Sequence, residues 1–473
     1  MNLSEKVIEE IILEVSKKLG QNRQAYASPD KYAGCLGCFD RIEDAISAAK
    51  QAYEKLSEMT LAQRGKIIEA MREAAAGNAR RLAEMAHDET GFGRVEDKIL
   101  KNILAAEKTP GIEDLVSKTF TGDYGLTLVE GAPYGVIGAI TPSTNPPSTV
   151  INNSISMVSA GNAVVFNPHP AAKKVSLEAI RILNEAIINA GGPENLLCSV
   201  KNPTLESSRV IMEHRDIRIL AVTGGEAVVH VAMKSGKKVI AAGPGNPPVI
   251  VDNTADIPKA ASDIVKGASF DNNVLCIAEK EVFVFREVAD RLMDEMLKNN
   301  AYKIDGPDIE KVMAAVFERD KNGKTVINKN YVGKNASYIL QQSGIPVDRD
   351  YRVILAEVNS RHPFVTTEML MPVLPVVRVS GLEEAIQKAI EAENGCKHTA
   401  IMHSQNVSNL TKAARALDTT IFVKNAPSYA GLGFEGEGYT TLTIATPTGE
   451  GLTSARSFVR YRRCTLADSF RIV

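Results

Sequence analysis

A cysteine that acts as a nucleophile needs a place where its thiol faces a cleft, and the sequence around Cys276 offers one. It follows the small, polar run Lys266-Gly-Ala-Ser-Phe-Asp-Asn-Asn-Val-Leu and precedes the β-branched and aromatic run Glu281-Val-Phe-Val. Polar clusters make turns and Val/Phe runs make buried strands, so the thiol is expected on a turn leading into a core strand. A thiolate there can attack an electrophilic carbon. Free cysteine is also among the most buried residue types, so this stretch alone does not separate a nucleophile from a core side chain.

Two more stretches fit the same chemistry. They are Gly135-Val-Ile-Gly-Ala-Ile-Thr141-Pro142-Ser143-Thr-Asn145-Pro and Thr366-Thr-Glu368-Met-Leu-Met-Pro-Val-Leu-Pro. With Cys276, their order and spacing resemble the aldehyde dehydrogenase superfamily, from about Phe39 to Val473. The resemblance implies an α/β fold: a modified Rossmann cofactor domain, an α/β catalytic domain and a β oligomerisation arm. It implies that Cys276 adds to an aldehyde to give a thiohemiacetal, whose oxyanion expels hydride to a nicotinamide. The Asn145 amide and the Cys276 backbone N–H are the expected oxyanion donors; losing one such donor typically costs about a hundredfold to a thousandfold in rate.

The same resemblance assigns Glu368 to the nicotinamide ribose and places Thr141, Pro142, Ser143 and Gly243 at the cofactor. No G-x-G-x-x-G fingerprint occurs, and relatives instead use a turn at the position of Thr223-Gly224-Gly225. Many relatives hold the adenosine ribose with a Lys and a Glu, where this chain has Asn167-Pro-His169. NAD is therefore the family default and NADP stays open.

One missing residue narrows the reaction. Hydrolytic relatives carry a Glu that activates water, and the aligned stretch here is Ile240-Ala-Ala242-Gly-Pro-Gly-Asn-Pro-Pro248, with Ala242 at that place. Without the base, neutral water is a poor nucleophile, whereas a thiol of pKa ~8.5 is already a few per cent thiolate at neutral pH. The acyl acceptor is then coenzyme A. This departure, Asp271-Asn-Asn-Val-Leu-Cys276, an amphipathic leader and the ending Gly449-Glu-Gly-Leu-Thr-Ser-Ala-Arg-Ser-Phe resemble the CoA-acylating aldehyde dehydrogenases of bacterial microcompartments, which act on propionaldehyde or acetaldehyde. A hydrolytic or phosphate-reducing relative, or a silent cargo protein, is the competing reading.

The elements that must position these residues follow from periodicity. Residues 1–19 set Leu3, Val7, Ile8, Ile11, Ile12, Val15 and Leu19 at helical spacing opposite a charged face. Residues 20–38 read as a polar linker, so the helix is expected to dock on a partner, a microcompartment shell protein on the resemblance. Alanine-rich charged segments from Ile42 to Ala106 read as scaffold helices, and Thr119 to Leu128 as part of a hairpin. Short apolar runs at Val136, Val164, Ile217 and Lys237–Val251 alternate with helices and predict a doubly wound sheet with its crevice at the strand carboxyl ends. Residues 39–120 and 136–247 then form the cofactor domain, 248–443 the catalytic domain, and 121–135 with 444–473 the arm. Ala289 to Lys324 reads as a helical, lysine-rich middle. Leu452 to Leu466 reads as a strand added to a neighbouring subunit of a homodimer or homotetramer.

Composition excludes other classes. Lys and Arg (55) balance Asp and Glu (57), for a net charge of -2, and no basic block marks a nucleic-acid surface. No run of 18 apolar residues suggests a membrane span. Six cysteines in 473 residues make no disulfide framework and suit a reducing cytoplasm. Cys35-Leu-Gly-Cys38 is the one pair at metal spacing; it lacks a second pair, so no metal is expected and the pair reads as an incidental loop feature.

Overall fold

A computed structural model describes residues 36–320, 323 and 325–472. The leader helix expected at residues 1–19 and most of the linker lie outside the described residues. The chain divides into two compact units. One takes the chain up to Thr90, Ile99–Ala242 and Tyr439 onward; the other takes Gly91–Lys98 and Gly243–Gly438.

The first unit is built on a parallel sheet of six strands: β1 (Cys38–Phe39), β2 (Val136–Thr141), β3 (Ala163–Pro168), β4 (Leu197–Val200), β5 (Ile217–Thr223) and β6 (Lys238–Ala242). Their order across the sheet is β1-β4-β3-β2-β5-β6. Every residue of β2 and β3 is buried, which is why they read as continuous apolar runs rather than alternating ones. The chain runs outward from β2 through β3 to β4 and then returns to β5 on the other side of β2. That reversal opens a crevice at the carboxyl ends of β2 and β5. Cys38, in β1, is disulfide-bonded, where an idle loop thiol was expected.

The scaffold helices form at Ile42–Ser57, Leu61–Gly77 and Ala79–Thr90, and a fourth spans Val95–Lys108. Leu61–Gly77 starts with a reciprocal cap between Thr60 and Gln63, which satisfies end N–H groups that the helix itself cannot. Pro146–Ser159 is buried along all 14 residues despite its Ser, Thr and Asn content. Part of this polar content is used: Asn152 bonds Thr109, Thr441 and the Leu442 N–H, and Asn153 accepts from Thr443, while the hydroxyls of Thr149, Ser154 and Ser159 and the Asn153 amide N–H have no partner. This unit also carries an antiparallel sheet in which Gly125–Pro133 pairs with Lys118–Gly122 on one side and Val459–Ala467 on the other. The tail strand expected on a neighbouring subunit therefore pairs within its own chain, in register from Val459↔Pro133 to Ala467↔Gly125. A nine-residue ladder at one edge of an existing hairpin is closer at hand than a partner's edge, and periodicity cannot name the partner.

The second unit holds a parallel sheet of seven strands: β7 (Pro248–Val251), β8 (Glu281–Phe285), β9 (Ala301–Ile304), β10 (Val353–Glu357), β11 (Val373–Val379), β12 (Thr399–His403) and β13 (Ile421–Lys424). The order is β9-β10-β11-β8-β7-β12-β13. β9 interrupts the middle segment that reads as helical, with helices at Ala289–Lys298 and Pro307–Val316 on either side. Four residues, Ala-Tyr-Lys-Ile, are too few to show a period of their own. Among the described residues no helix is long and apolar enough to cross a membrane.

Asp114 ties the C-terminal segment into the first unit. Its carboxylate accepts from the Ser454 hydroxyl at 2.6 Å, from the Arg456 backbone N–H at 2.9 Å and from Arg456 Nε at 2.7 Å. Burial pushes this carboxyl up, and the bonds from Arg456 and Ser454 outweigh it, so the net pKa falls below the usual carboxylate value. A depressed pKa means stabilisation that is present above about pH 4 and lost as the pH falls through the folded-state value. Asp114→Ala is expected to cost about 1–3 kcal/mol at neutral pH, and the gap between variant and wild type should narrow in acid. Thermal unfolding at pH 7 and pH 3.5 reads both; equal melting temperatures at pH 7 would discount the tie.

Candidate active site

The loop that leads to Cys276 is built from backbone that ordinary residues avoid. After the helix Ile257–Ser269, Asp271, Asn272 and Asn273 take φ of 49°, 52° and 66° in succession. Asn and Asp tolerate the left-handed region better than other non-glycine residues, but three in a row persist only if the surroundings hold them. They do. Asp271 accepts from the Arg94 N–H at 2.8 Å and from Lys98 Nζ at 3.0 Å, and its own N–H donates to Asp97. Asn272 accepts from Arg94 Nε and donates to the Gly333 carbonyl and Asn335. Asn273 donates to the carbonyls of Ala268 and Glu279. Gly93 admits the Asp271 carboxylate: a Cβ there would lie 1.8 Å from Oδ1.

Cys276 follows on a turn, half-buried, with a free thiol. Burial, then the Glu368 carboxylate, push its pKa up to about 12, while Lys280 and nearby backbone N–H groups oppose the rise. Lys280, itself 2% exposed, donates from Nζ to the Asn273 carbonyl at 2.9 Å, to Asn273 Oδ1 at 2.5 Å and to the Leu275 carbonyl at 3.2 Å. Glu279 is fully buried and accepts from the Ser428 N–H and hydroxyl; its pKa is pushed up to about 7, chiefly by burial. Ser428 belongs to the glycine-rich segment after Ile421, which is thereby brought beside the loop that carries Cys276.

Topology gathers the rest of this unit's site. Gly245 precedes β7, Cys276 precedes β8, Glu368 precedes β11 and His398 precedes β12, four adjacent strands in the order β11-β8-β7-β12. The site thus sits at strand amino ends. The Gly245 N–H reaches Glu368 Oε1 at 3.4 Å. A Cβ on Gly245 would meet the Cys276 carbonyl at 2.6 Å and His398 Cγ at 3.0 Å, so only glycine allows this approach. Asn246 fixes the turn by donating to the carbonyls of Val365 and Ala392. Gly243 opens this segment. Burial raises the Glu368 carboxyl, opposed by Lys280 and the Gly245 N–H. His398 is buried, its pKa lowered to about 4 by burial and then Lys280; Nδ1 meets Thr399 Oγ1 at 2.9 Å and Nε2 has no partner.

The other expected residues lie in the first unit. Asn145 caps Pro146–Ser159 and is buried. Its Oδ1 accepts from the buried Lys101 at 2.6 Å, which turns the amide N–H groups the other way; one reaches Thr144 Oγ1 at 3.2 Å. Thr141 ends β2 with a buried hydroxyl that has no partner, and Pro142 and Ser143 follow it. Thr223 ends β5, bonds Thr443, and leads into Gly224, whose N–H donates to the Ala242 carbonyl, and Gly225, which caps Glu226–Met233. These residues lie at the carboxyl ends of β2 and β5, at the sheet reversal, and the orphaned Thr141 hydroxyl fits a polar cofactor there. Asn167, at the end of β3, spends its amide on Ser207, Ser208 and the Thr204 carbonyl, whereas His169 is exposed. Ala242 ends β6, buried opposite Thr223, and brings no carboxylate.

The sequence reading passed over Lys280, Glu279, His398, Lys101 and Lys98. One signal was available: Glu279-Lys280-Glu281 sets three charges at the mouth of an apolar strand, where charge is out of place unless it is paired.

The match called Aldehyde dehydrogenase family covers residues 39–439. Over 473 residues, all of both sequences, the chain is 50% identical to an acetaldehyde dehydrogenase (acetylating), EutE, of Salmonella typhimurium. Its structure resembles that of a propionaldehyde dehydrogenase from the fucose utilisation microcompartment of Clostridium phytofermentans, with TM-score 0.90 and 50% identity, covering 93% of this chain and 100% of that one. It is also similar to a Rhodopseudomonas palustris propionaldehyde dehydrogenase solved with bound CoA and an acylated cysteine (TM-score 0.89, 48% identity, 91% and 98% covered). Matched in sequence over most of its length and in fold across both units, the chain belongs to the aldehyde dehydrogenase family.

Proposed function

We propose that the chain oxidises a short-chain aldehyde, propionaldehyde or acetaldehyde, to its acyl-CoA. The observation that carries this reading is a half-buried free cysteine on a locked loop together with Ala242 where hydrolytic relatives carry their general base. Cys276 sulfur adds to the carbonyl carbon. The amide of Asn145, turned by Lys101, and the Cys276 N–H are the assigned donors for the oxyanion. The nicotinamide dinucleotide, NAD or NADP, supplies a hydride acceptor. Thr141, Pro142, Ser143, Thr223, Gly224 and Gly225 are assigned to its binding, with Asn167, His169, Gly243 and Glu368. Loss of hydride leaves a thioester on Cys276. The CoA sulfur then attacks that carbon, the bond to Cys276 breaks, and the enzyme thiolate is restored. A thioester is exchanged for a thioester, so the reaction also runs toward aldehyde.

The relatives act on two- and three-carbon aldehydes by their names, and the same class is assigned here. The exposed Phe120 and Tyr461 share one face of the antiparallel sheet, with Leu466 exposed on the other and Tyr124 on the turn; exposed apolar side chains of this kind are buried between subunits, which supports a homodimer or homotetramer. Residues 1–19 are assigned to a shell protein, which places the enzyme inside a cytoplasmic microcompartment.

Three outcomes test this. NADH formation from propionaldehyde and NAD should be sustained only with CoA present and vanish in Cys276→Ala; equal turnover without CoA would transfer the chain to the hydrolytic class, with Glu368 as the carboxylate to suspect. A thiol whose pKa is raised to about 12 is a thiolate only in alkali, so iodoacetamide alkylation of Cys276 in cofactor-free enzyme should climb about tenfold per pH unit from 7 to 10; a plateau near pH 8.5 would mean an ordinary thiol. Deleting residues 1–19 should leave kcat unchanged and abolish co-purification with shell protein, and loss of activity would count against a detached helix.

A further inference from the structure

We infer that Lys280 is a positioning residue for the nucleophile: its buried ammonium, bonded to the carbonyls of Asn273 and Leu275 and to the Asn273 side chain, supplies the positive charge that makes a thiolate at Cys276 attainable. The inference rests on Cys276 being the reacting group.

The geometry has two parts. All three bonds from Nζ end on the residues just before Cys276, so the ammonium lies beneath the loop rather than in the cleft. It is 2% exposed. A lysine is almost never buried to this degree without partners, and here carbonyl oxygens hydrogen-bond it without neutralising it. Burial lowers the lysine's own pKa from the usual value, and Glu368, Cys276 and the flanking glutamates oppose that fall, so at neutral pH the charge acts on its surroundings with little water to screen it.

The charged groups facing it are few. Glu368 and Cys276 come from the loops before β11 and β8. Glu279 and Glu281 flank it in sequence. Glu281 is fully buried, neither carboxyl oxygen has a hydrogen-bond partner, and burial holds its pKa well above the ordinary value, with Glu393 adding to the rise. Glu281 therefore gives up its proton late and does little to cancel the ammonium. Glu279 is committed to Ser428. His398, kept neutral by burial and then by Lys280, adds no charge. Two groups remain that oppose each other at the thiol: Glu368 disfavours the thiolate and Lys280 favours it.

Because the two act with opposite sign, substitutions separate charge from scaffolding. In cofactor-free enzyme, Lys280→Gln keeps a hydrogen-bond donor and removes the charge. It is expected to slow iodoacetamide alkylation of Cys276 by about tenfold or more at pH 7, which corresponds to a rise of about one pKa unit, and the difference from wild type should narrow toward pH 10 as the wild-type lysine loses its proton. Glu368→Gln should speed it, and the double variant should return toward wild type. A merely structural lysine would give no such opposed pair. If Lys280→Gln alkylates at the wild-type rate, or if both single variants slow the reaction, the inference fails. Should Lys280→Gln not fold, by circular dichroism and melting temperature, Lys280→Arg replaces it: alkylation within about threefold of wild type supports the role of charge, and a tenfold loss overturns it. Labelling reads the thiol directly without turnover, so its result stands apart from whether Cys276→Ala abolishes catalysis.

Discussion

The second unit depends on one constraint: three consecutive left-handed residues must be held so that the next side chain not fully buried is a cysteine. Each such residue costs of the order of 1–3 kcal/mol. The offsetting bonds come from four separate segments: Gly93 to Lys98, the end of Ile257–Ser269, Gly333 to Asn335, and Glu279 to Lys280. The loop is thus fixed by distant parts of the chain and not by its own turn chemistry. For the proposed nucleophile this means that orientation is established during folding and not when substrate binds.

Much of this was legible in the sequence and some was not. Cys276 could be set on a turn because polar residues precede it and Val/Phe alternation follows. The parallel strands β2, β3 and β5 announced themselves as short apolar runs between helices. Ala242 could be noticed only against a family pattern, since nothing in an alanine signals a missing base. The gathering of Gly245, Glu368 and His398 around Cys276 is a property of strand order, which local periodicity does not encode. Lys280 hid for a different reason: a lysine between two glutamates also looks like solvated surface, and the packed sheet decides between that and a buried, paired charge. The pairing of Val459–Ala467 inside its own chain was equally invisible, since the strand's alternation is the same whichever edge it joins.

The two units solve related problems by opposite means. In the first, the groups assigned to the cofactor lie at strand carboxyl ends, where helix starts and free backbone N–H groups collect. In the second, side chains and a buried ammonium do the work at strand amino ends. One helix, Val95–Lys108, serves residues in both: Lys98 bonds Asp271, and Lys101, one turn later, bonds Asn145.

Placing Gly245, Cys276, Glu368 and His398 on the connections that enter four neighbouring strands has a consequence for how such a chain can diversify. The sheet fixes where each connection ends, so these four residues keep their spacing while the residues further back along the same connections stay free to change in bulk or polarity. Pocket shape and chemical machinery are then separable in inheritance: a lineage can drift from one aldehyde to another by exchanging loop residues, without passing through an ancestor that has lost its thioester chemistry.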